Sequence, residues 1–277
     1  MNDSSRLLLA VVLGLLAAVT LLVTGSVRNG GGQKRRWLRR AAAAACVTVP
    51  VATAGWIGAN SATVSWFGGQ VAHGSRTVDQ VALTFDDGPN DSATAAIADL
   101  LVARGLRATF FVVGRAVVAR PELTRRLVSQ GHLLGNHSFR HDAKGWLDPR
   151  YPELVRTQRA IRAVAGVCPA FFRAPHGQHT PLLVRVLHSH HVTMIGWDAS
   201  AGDWSTRSAG VIAKRILRKV RPGSIIDLHD GLDGDPTIDR RVLIRALPII
   251  LDGLAARRLR PVRLDALLDR PGTLATC

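Results

Sequence analysis

Two adjacent carboxylates at the end of an apolar segment are the first residues that suggest chemistry. The segment VALTF (81–85) is typical of a buried β-strand, and Asp86 and Asp87 follow it directly, before Gly-Pro. Like charges beside an apolar strand are costly unless a cation lies between them. A divalent metal would let one carboxylate act as a ligand while the other stays ionised as a base. Asp-Gly-Pro alone is also compatible with an ordinary turn.

A histidine pair in GNHSFRH is the second candidate for metal binding. His137 and His141 are four residues apart, so both imidazoles would lie on one face if the stretch were helical. This spacing also arises by chance in a chain with 10 histidines. Together with Asp-Asp at a strand end it is more informative. Two histidines and one carboxylate form a common catalytic metal set that leaves positions open for water and substrate.

Short apolar strands alternate with amphipathic helices from Val78 onward, which predicts an α/β fold with a parallel sheet. The predicted strands are 80–85, 108–113, 132–135, 170–172, 192–197, 224–228 and 261–264. The predicted helices are 92–104, 121–130, 152–164, 181–189, 209–220 and 240–257. Ionisable residues follow most of these strands, namely Asp86, Asp87, His137, Arg173, Asp198, His229 and Asp230. Such a pattern favours a barrel with its active site at the carboxyl end of the strands, over an open doubly wound sheet.

Three further motifs complete the set, in the order FFRAPHG (171–177), WDASAGDW (197–204) and IIDLHD (225–230). With TFDDGP and the histidine motif, the chain resembles the polysaccharide deacetylase family over residues 78–268. This family is also called the NodB homology domain or carbohydrate esterase family 4. The resemblance implies a distorted (β/α) barrel of NodB type. It also implies metal-dependent removal of N-acetyl groups from N-acetylglucosamine-containing polysaccharide, such as peptidoglycan or chitin-like oligosaccharide.

The resemblance implies a role for each motif residue. Asp87, His137 and His141 are implied as metal ligands, most often for Zn²⁺ and sometimes for Co²⁺ or another divalent ion. Asp86 is implied as the general base and His229 as the general acid.

The resemblance implies supporting and substrate-pocket positions as well, which are Arg173, Pro175, His176, Asp203, Trp204 and Leu228. Arg173 would hold the base and Asp203 would tune the acid. Trp204 and Leu228 would line the acetyl pocket, and the backbone N–H at His176 would help to hold the oxyanion.

Three departures from the family pattern stand out in these motifs. His176 replaces a residue that is often aromatic in the family, and Ser200 replaces one that is often acidic. Asp227 is more polar than expected in a strand, and it is expected either to be buried or to contact Arg173.

The first 67 residues predict a membrane anchor with two spans. Residues 7–23 and 41–57 carry no charge, and the basic stretch 28–40 lies between them. The positive-inside rule predicts a cytoplasmic loop at 28–40 and an extracytoplasmic catalytic domain. The predicted divisions are therefore an anchor at 1–67, a linker at 68–77 and a catalytic domain at 78–270. A single span with a flexible tether is the alternative.

The net charge of the chain indicates which classes of binding partner to expect. A formal net charge of +16 favours anionic partners such as wall polymers, acidic lipid or nucleic acid. The arginines are spread along the chain without an aromatic stacking platform, so nucleic-acid binding is not predicted. Cys46, Cys168 and Cys277 are odd in number and lack metal-like spacing, so no disulfide framework is predicted.

The predicted function is a membrane-anchored, metal-dependent polysaccharide N-deacetylase at the cell envelope, a hydrolase of linear amides. Its partners would be the polysaccharide and the membrane, and the sequence gives no oligomeric state. An acetyl-ester deacetylase acting on xylan-like polymer and a catalytically silent wall-binding protein remain as alternatives. A silent protein would be expected to lack the base or a metal ligand, and these residues are all present.

Overall fold

The computed structural model describes residues 32–61, 69–142, 145 and 148–277, in two compact units divided after residue 60. The described part of the first unit contains one helix, α1, Gly32–Ala59. Residues 32–40, which we expected in a loop, therefore continue into the apolar segment as one helix. Its stretch Arg40–Ala59 is long and apolar enough to cross a membrane, by length and composition only. The predicted span 7–23 lies outside the described residues, so the hairpin stays a prediction.

The described part of the second unit has nine strands, and all pair in parallel. They are β1 Gln70–Val71, β2 Gln80–Asp86, β3 Thr109–Val112, β4 Leu133–Asn136, β5 Phe171–Phe172, β6 Thr193–Ile195, β7 Ala199–Ser200, β8 Ile225–His229 and β9 Arg260–Val262. The order is β1-β6-β5-β4-β3-β2-β8-β7, and β9 pairs with the first residues of β2. The predicted parallel α/β architecture is confirmed.

Eight helices accompany these strands in the described part of the second unit. They are α2 Thr94–Ala103, α3 Gly114–Ala119, α4 Pro121–Ser129, α5 Pro152–Ala165, α6 Pro181–Ser189, α7 Ala209–Lys219, α8 Arg241–Ala256 and α9 Leu264–Leu268. Pro121, Pro152 and Pro181 each begin a helix, as predicted, because a proline in the first turn forfeits no intrahelical hydrogen bond.

One continuous segment links the two sides of the sheet, which is curled into a distorted, incompletely closed barrel. Residues 193–200 form β6, which pairs with β5, and then β7, which pairs with β8. Because β6 and β7 lie at opposite sides of the strand order and only three residues separate them, this segment joins the two sides. The sequence suggested a single strand at 192–197, and the bend within 196–198 turns it into two.

Side chains alternate along β2 between the helix-covered face and the barrel interior. Leu83 and Phe85 lie in the main hydrophobic core beneath the helices. Thr84 and Asp86 point the other way, and both accept hydrogen bonds from Arg173. The period-2 geometry of a strand therefore assigns apolar residues to one face and the polar pair to the interior.

The second unit extends beyond the predicted limits at both ends. Strand β1, within the predicted linker 68–77, pairs with β6. At the other end, Leu274 N–H donates to the carbonyl of Cys168, and Cys168 forms a disulfide with Cys277. Our expectation of no disulfide was wrong for this pair, because 109 residues separate the two cysteines and only the folded chain brings them together. Cys46 is free and exposed.

Loss of this disulfide should destabilise the second unit. Cys277→Ser removes a covalent link that constrains a long loop in the unfolded chain, so we expect the free energy of unfolding to fall by about 2–4 kcal/mol. Thermal unfolding of the full chain in detergent, followed by near-UV circular dichroism, measures the change. Cys46→Ser is the matched control and should unfold like the wild type. Equal unfolding temperatures for Cys277→Ser and the wild type would contradict the stabilising role.

Candidate active site

The carboxyl ends of the strands bring most of the predicted residues together around Arg173, which follows β5. Arg173 is completely buried, and its Nη1 donates to Asp86 Oδ1 and to Thr84 Oγ1, both at 2.7 Å. The guanidinium also lies over the ring of Phe111, at 4.2 Å from the centroid. A buried arginine needs this combination of anionic and aromatic partners, because desolvating its charge is costly. Arg173 therefore fixes the position of Asp86.

A second cluster of buried donor atoms lies beside Asp86. Asp87 Oδ1 is 3.4 Å from His137 Nε2 and 3.1 Å from His141 Nε2. Residues 137–142 are not helical, so the two imidazoles do not share a helix face. Instead Ser138 and His141 adopt positive φ, and Ser138 Oγ accepts a hydrogen bond from the His141 N–H. A tight loop rather than a helical face thus brings the two imidazoles to the same carboxylate.

The residues present fit a divalent metal. Asp87 Oδ1 is buried and, among the described residues, has no hydrogen-bond partner. A tetrahedral zinc site with bonds of about 2.0–2.1 Å places its ligand atoms about 3.3 Å apart, close to the two distances here. His137 Nδ1 lies 2.8 Å from the carbonyl of Arg173, so it donates its proton there and leaves Nε2 free to bind a metal. The set of two nitrogens and one carboxylate oxygen suits zinc.

The predicted acid lies at the end of β8 and is held by Asp203. His229 Nδ1 is 3.0 Å from Asp203 Oδ1, and the His229 backbone N–H donates to Asp203 Oδ2 at 3.0 Å. Burial opposes protonation, but the carboxylates of Asp227 and Asp203 raise the pKa of His229 well above its usual value. The indole of Trp204 is half-exposed and packs edge-on against the imidazole, with ring centroids 5.0 Å apart. The imidazole is therefore held between a carboxylate and an accessible aromatic wall.

Comparisons with known proteins identify the family to which the chain belongs. A family model described as polysaccharide deacetylase matches residues 73–195. The chitooligosaccharide deacetylase of Sinorhizobium fredii is 37% identical over 159 residues, which cover 56% of this chain and 74% of that protein. This chain belongs to the polysaccharide deacetylase family.

Two further members show how far the similarity extends. The peptidoglycan-N-acetylglucosamine deacetylase PgdA of Listeria monocytogenes is 34% identical over 158 residues, which cover 56% of this chain. The match spans only 33% of PgdA. The solved structure of a family 4 carbohydrate esterase from Streptomyces lividans, in complex with acetate, is 32% identical, with a TM-score of 0.57. That match covers 66% of this chain and 91% of the other.

One predicted pocket residue, Leu228, and one ionisable strand-end residue, Asp198, occupy other surroundings. Leu228 is fully buried in the main hydrophobic core, because alternate residues of β8 face opposite sides and Asp227 and His229 face the interior. Asp198 accepts a hydrogen bond from the N–H of Ile225, at the amino end of β8, and so lies away from the site. The structure thus places Asp227, not Leu228, beside Arg173.

Pro175 and His176 lie in a short 3₁₀ turn, Pro175–Gly177, next to the histidine cluster. His176 has a positive φ of 56°, and its ring packs edge-on against His141 with centroids 4.7 Å apart. The ring thus contacts a predicted metal ligand, while the role of its backbone N–H stays a prediction.

Sequence reasoning missed Arg240, which directly precedes α8. Its Nη2 donates to Asp203 Oδ2 at 2.7 Å, and its Nε donates to the carbonyl of His229 at 3.1 Å. A single arginine in a chain rich in arginine carries no recognisable spacing, so no sequence signal pointed to it.

Asp227 was expected either to be buried or to contact Arg173, and in the structure it does both. Its Oδ1 lies 3.3 Å from Arg173 Nη1, and its Oδ2 has no hydrogen-bond partner among the described residues. Burial raises the pKa of Asp227 to about 7, despite the attraction of His229. Burial also raises the pKa of Asp230 to about 7, although Thr94 donates a hydrogen bond to it.

The raised pKa of Asp227 predicts that the free energy of unfolding falls as the pH rises. Asp227 keeps a proton in the folded protein up to about pH 7, whereas the unfolded chain loses it near the usual aspartate pKa of 3.8. The free energy of unfolding should therefore decrease between about pH 5 and 7, by up to about 1.4 kcal/mol per pH unit from this group. Asp227→Asn should flatten the slope. Urea unfolding of the EDTA-treated protein at several pH values measures it.

The exposed carboxylate Asp252 supplies the control, since Asp252→Asn should leave the slope unchanged. Asp230→Asn should flatten the slope in the same direction, because the pKa of Asp230 is also raised. A wild-type slope in Asp227→Asn would show that Asp227 is ionised in the folded protein throughout this range.

Proposed function

We propose that this protein is a metal-dependent deacetylase that hydrolyses the N-acetyl groups of N-acetylglucosamine-containing polysaccharide at the cell envelope. The observation that carries the proposal is the pairing of Asp86 and His229 on adjacent strands, where their ligand atoms lie within 4.8 Å of each other, next to the Asp87 cluster. The two carboxyl-end positions pair in register, Asp86 with His229. Relatives named as peptidoglycan-N-acetylglucosamine and chitooligosaccharide deacetylases support the substrate class.

Asp86 is suited to remove a proton from water. Arg173 donates to its Oδ1 at 2.7 Å, which leaves Oδ2 to accept the proton. This Oδ2 lies 3.7 Å from His137 Nε2, so the base is adjacent to the atoms that would hold the metal. General base catalysis of this kind contributes typically about 10²–10⁴ to the rate.

The metal would be held by Asp87 Oδ1 and the Nε2 atoms of His137 and His141. When bound, a divalent ion such as zinc polarises a carbonyl group and lowers the pKa of water toward about 7. The protein contributes the ligand orientation, since the Arg173 carbonyl fixes the ring of His137.

His229 is suited to deliver a proton to the departing nitrogen. An amide nitrogen leaves poorly as an anion, so the reaction needs an acid opposite the base. Asp203 accepts the Nδ1 proton of His229, so the proton that is transferred is carried on Nε2. The raised pKa of His229, to which Asp227 and Asp203 contribute against the effect of burial, keeps this proton in place near neutral pH.

Acetate release tests the proposed reaction. The full-length protein in detergent, with added zinc, should release acetate from N-acetylglucosamine oligomers or peptidoglycan, and EDTA should abolish the release. Asp86→Asn should lower kcat by about 10²–10⁴, because the base is lost.

The control is Asp91→Asn, which removes a partly exposed carboxylate that follows the same turn and pairs with Arg120. It should retain wild-type activity. Acetate release from acetylated xylan alone would indicate an esterase, and no release from any of these substrates would indicate a silent binding protein.

Membrane anchoring is the second part of the proposal, and the dimensions of α1 support it. Trp37 and Trp56 are both exposed and lie 19 residues apart, which is about 28 Å along a helix. This length matches the roughly 30 Å hydrocarbon core, at whose two surfaces tryptophan is enriched. Basic residues precede the apolar stretch, so the positive-inside rule places the start of α1 in the cytoplasm and the catalytic domain outside.

Cysteine labelling in intact cells checks this orientation. In a Cys46→Ser background, a membrane-impermeant maleimide should label Asn60→Cys in intact cells and Arg36→Cys only after lysis. The protein should also stay in the membrane fraction after carbonate extraction. Labelling of Arg36→Cys in intact cells, or release by carbonate, would contradict the proposed anchor.

A further inference from the structure

The side chain of Arg240 directs all of its hydrogen bonds in the described residues to the two residues of the predicted acid. Its Nη2 donates to Asp203 Oδ2 at 2.7 Å and to the carbonyl of His229 at 3.0 Å. Its Nε donates to the same carbonyl at 3.1 Å, and its Nη1 to the carbonyl of Asp203 at 3.3 Å. The side chain is only 4% exposed. Within the ranges that the structure describes, the buried guanidinium is hydrogen-bonded only to Asp203 and His229. This arrangement differs from an ordinary surface ion pair and indicates a role at the site.

We propose that Arg240 is a positioning residue, which locks Asp203 and His229 together and thereby sets the geometry and charge of the proton donor. The inference rests on the proposed function, since it assigns a residue that serves the acid. Three separate segments meet at this side chain: the loop after β7, the end of β8 and the start of α8. No other residue in the described part of the chain is recorded with hydrogen bonds to both members of the pair.

The two carboxylate oxygens of Asp203 have different partners, which explains how Arg240 fixes the position of the pair. Oδ2 accepts from both Arg240 and the backbone N–H of His229, while Oδ1 faces the imidazole Nδ1 at 3.0 Å. Because Oδ2 is held by two donors, the carboxylate cannot rotate, and Oδ1 stays directed at the ring. The ring then keeps its proton-bearing Nδ1 on Asp203 and its other nitrogen free for the substrate.

Arg240 also sets the charge around the imidazole. The carboxyl groups that face or act on His229 are Asp227 on its own strand, Asp86 on the paired strand, Asp203 on the neighbouring loop and Asp87 across the site. Arg240 supplies the positive charge that is bonded to Asp203. An acid must hold its proton and also release it in the transition state. Without Arg240 the carboxylate of Asp203 would act unopposed, and His229 would hold its proton more tightly.

Two substitutions and one control test the inference in the full-length, zinc-loaded protein. Arg240→Gln removes the charge, Arg240→Lys keeps it without the planar fork, and Arg241→Gln is the control. Arg241 is the neighbouring residue, is exposed, and pairs only with Asp239 among the described residues. The readouts are the pH profiles of kcat and KM for acetate release, and the titration of the His229 imidazole by NMR with ¹³C-labelled histidine.

For Arg240→Gln we expect kcat to fall by about 10- to 100-fold, because small misplacements of a catalytic group have effects of this size. KM should change little. Both the alkaline limb of the kcat profile and the His229 titration should move to higher pH. Arg240→Lys should titrate like the wild type but keep a lowered kcat, because an ammonium cannot reproduce the planar contacts. Arg241→Gln should match the wild type in every readout.

A wild-type titration and wild-type kcat in Arg240→Gln would overturn the inference, as would an equal loss of activity in Arg241→Gln. If Arg240→Gln does not fold, Arg240→Lys decides: a wild-type kcat overturns the inference, and a lowered kcat with an unchanged titration supports it. If the wild type releases no acetate, the proposed function fails separately. The titration shift still tests whether Arg240 controls the histidine.

Discussion

The structure depends on one buried positive charge. The guanidinium of Arg173 lies inside the barrel, fully removed from water, where an uncompensated cation would cost several kcal/mol. Asp86 supplies the compensating charge at 2.7 Å, and the rings of Phe111 and Trp197 lie at 4.2 and 5.4 Å from the guanidinium carbon. These partners come from separate strands and loops, so the charge can be satisfied only when the parallel sheet has closed around it.

The same residue connects the proposed base to the proposed metal cluster. The side chain of Arg173 holds Asp86, its backbone carbonyl accepts from His137 Nδ1, and its backbone N–H donates to the carbonyl of Asn136. A shift of β5 would therefore displace a base and a predicted metal ligand together. The two halves of the site cannot vary independently, because one residue sets the position of both.

The strands and helices could be predicted from the sequence because they depend on local residue patterns. Contacts between distant segments could not be predicted in this way. Apolar runs and helix-starting prolines placed most strands and helices, since these signals lie within a few residues of the element that they mark. The Cys168–Cys277 disulfide and the contacts of Arg240 join distant segments and leave no local trace. The error at Leu228 has a different cause. Successive side chains of a strand point to opposite faces. An error of one position in the assignment therefore moves a residue from the site to the hydrophobic core.

Charge balance shows where the site has room for a cation. Asp86 is paired with Arg173, and Asp203 is paired with both Arg240 and His229, so neither carboxylate needs another partner. Asp87 is different: within the described residues its recorded contacts are with His137 and His141, which must be neutral to bind a metal. Its buried oxygen is therefore the one place in the described site where a negative charge has no fixed positive partner. The two adjacent carboxylates at the end of the strand therefore differ in their partners: one is held by an arginine, and the other lacks a fixed positive partner, as the proposed metal ligand requires.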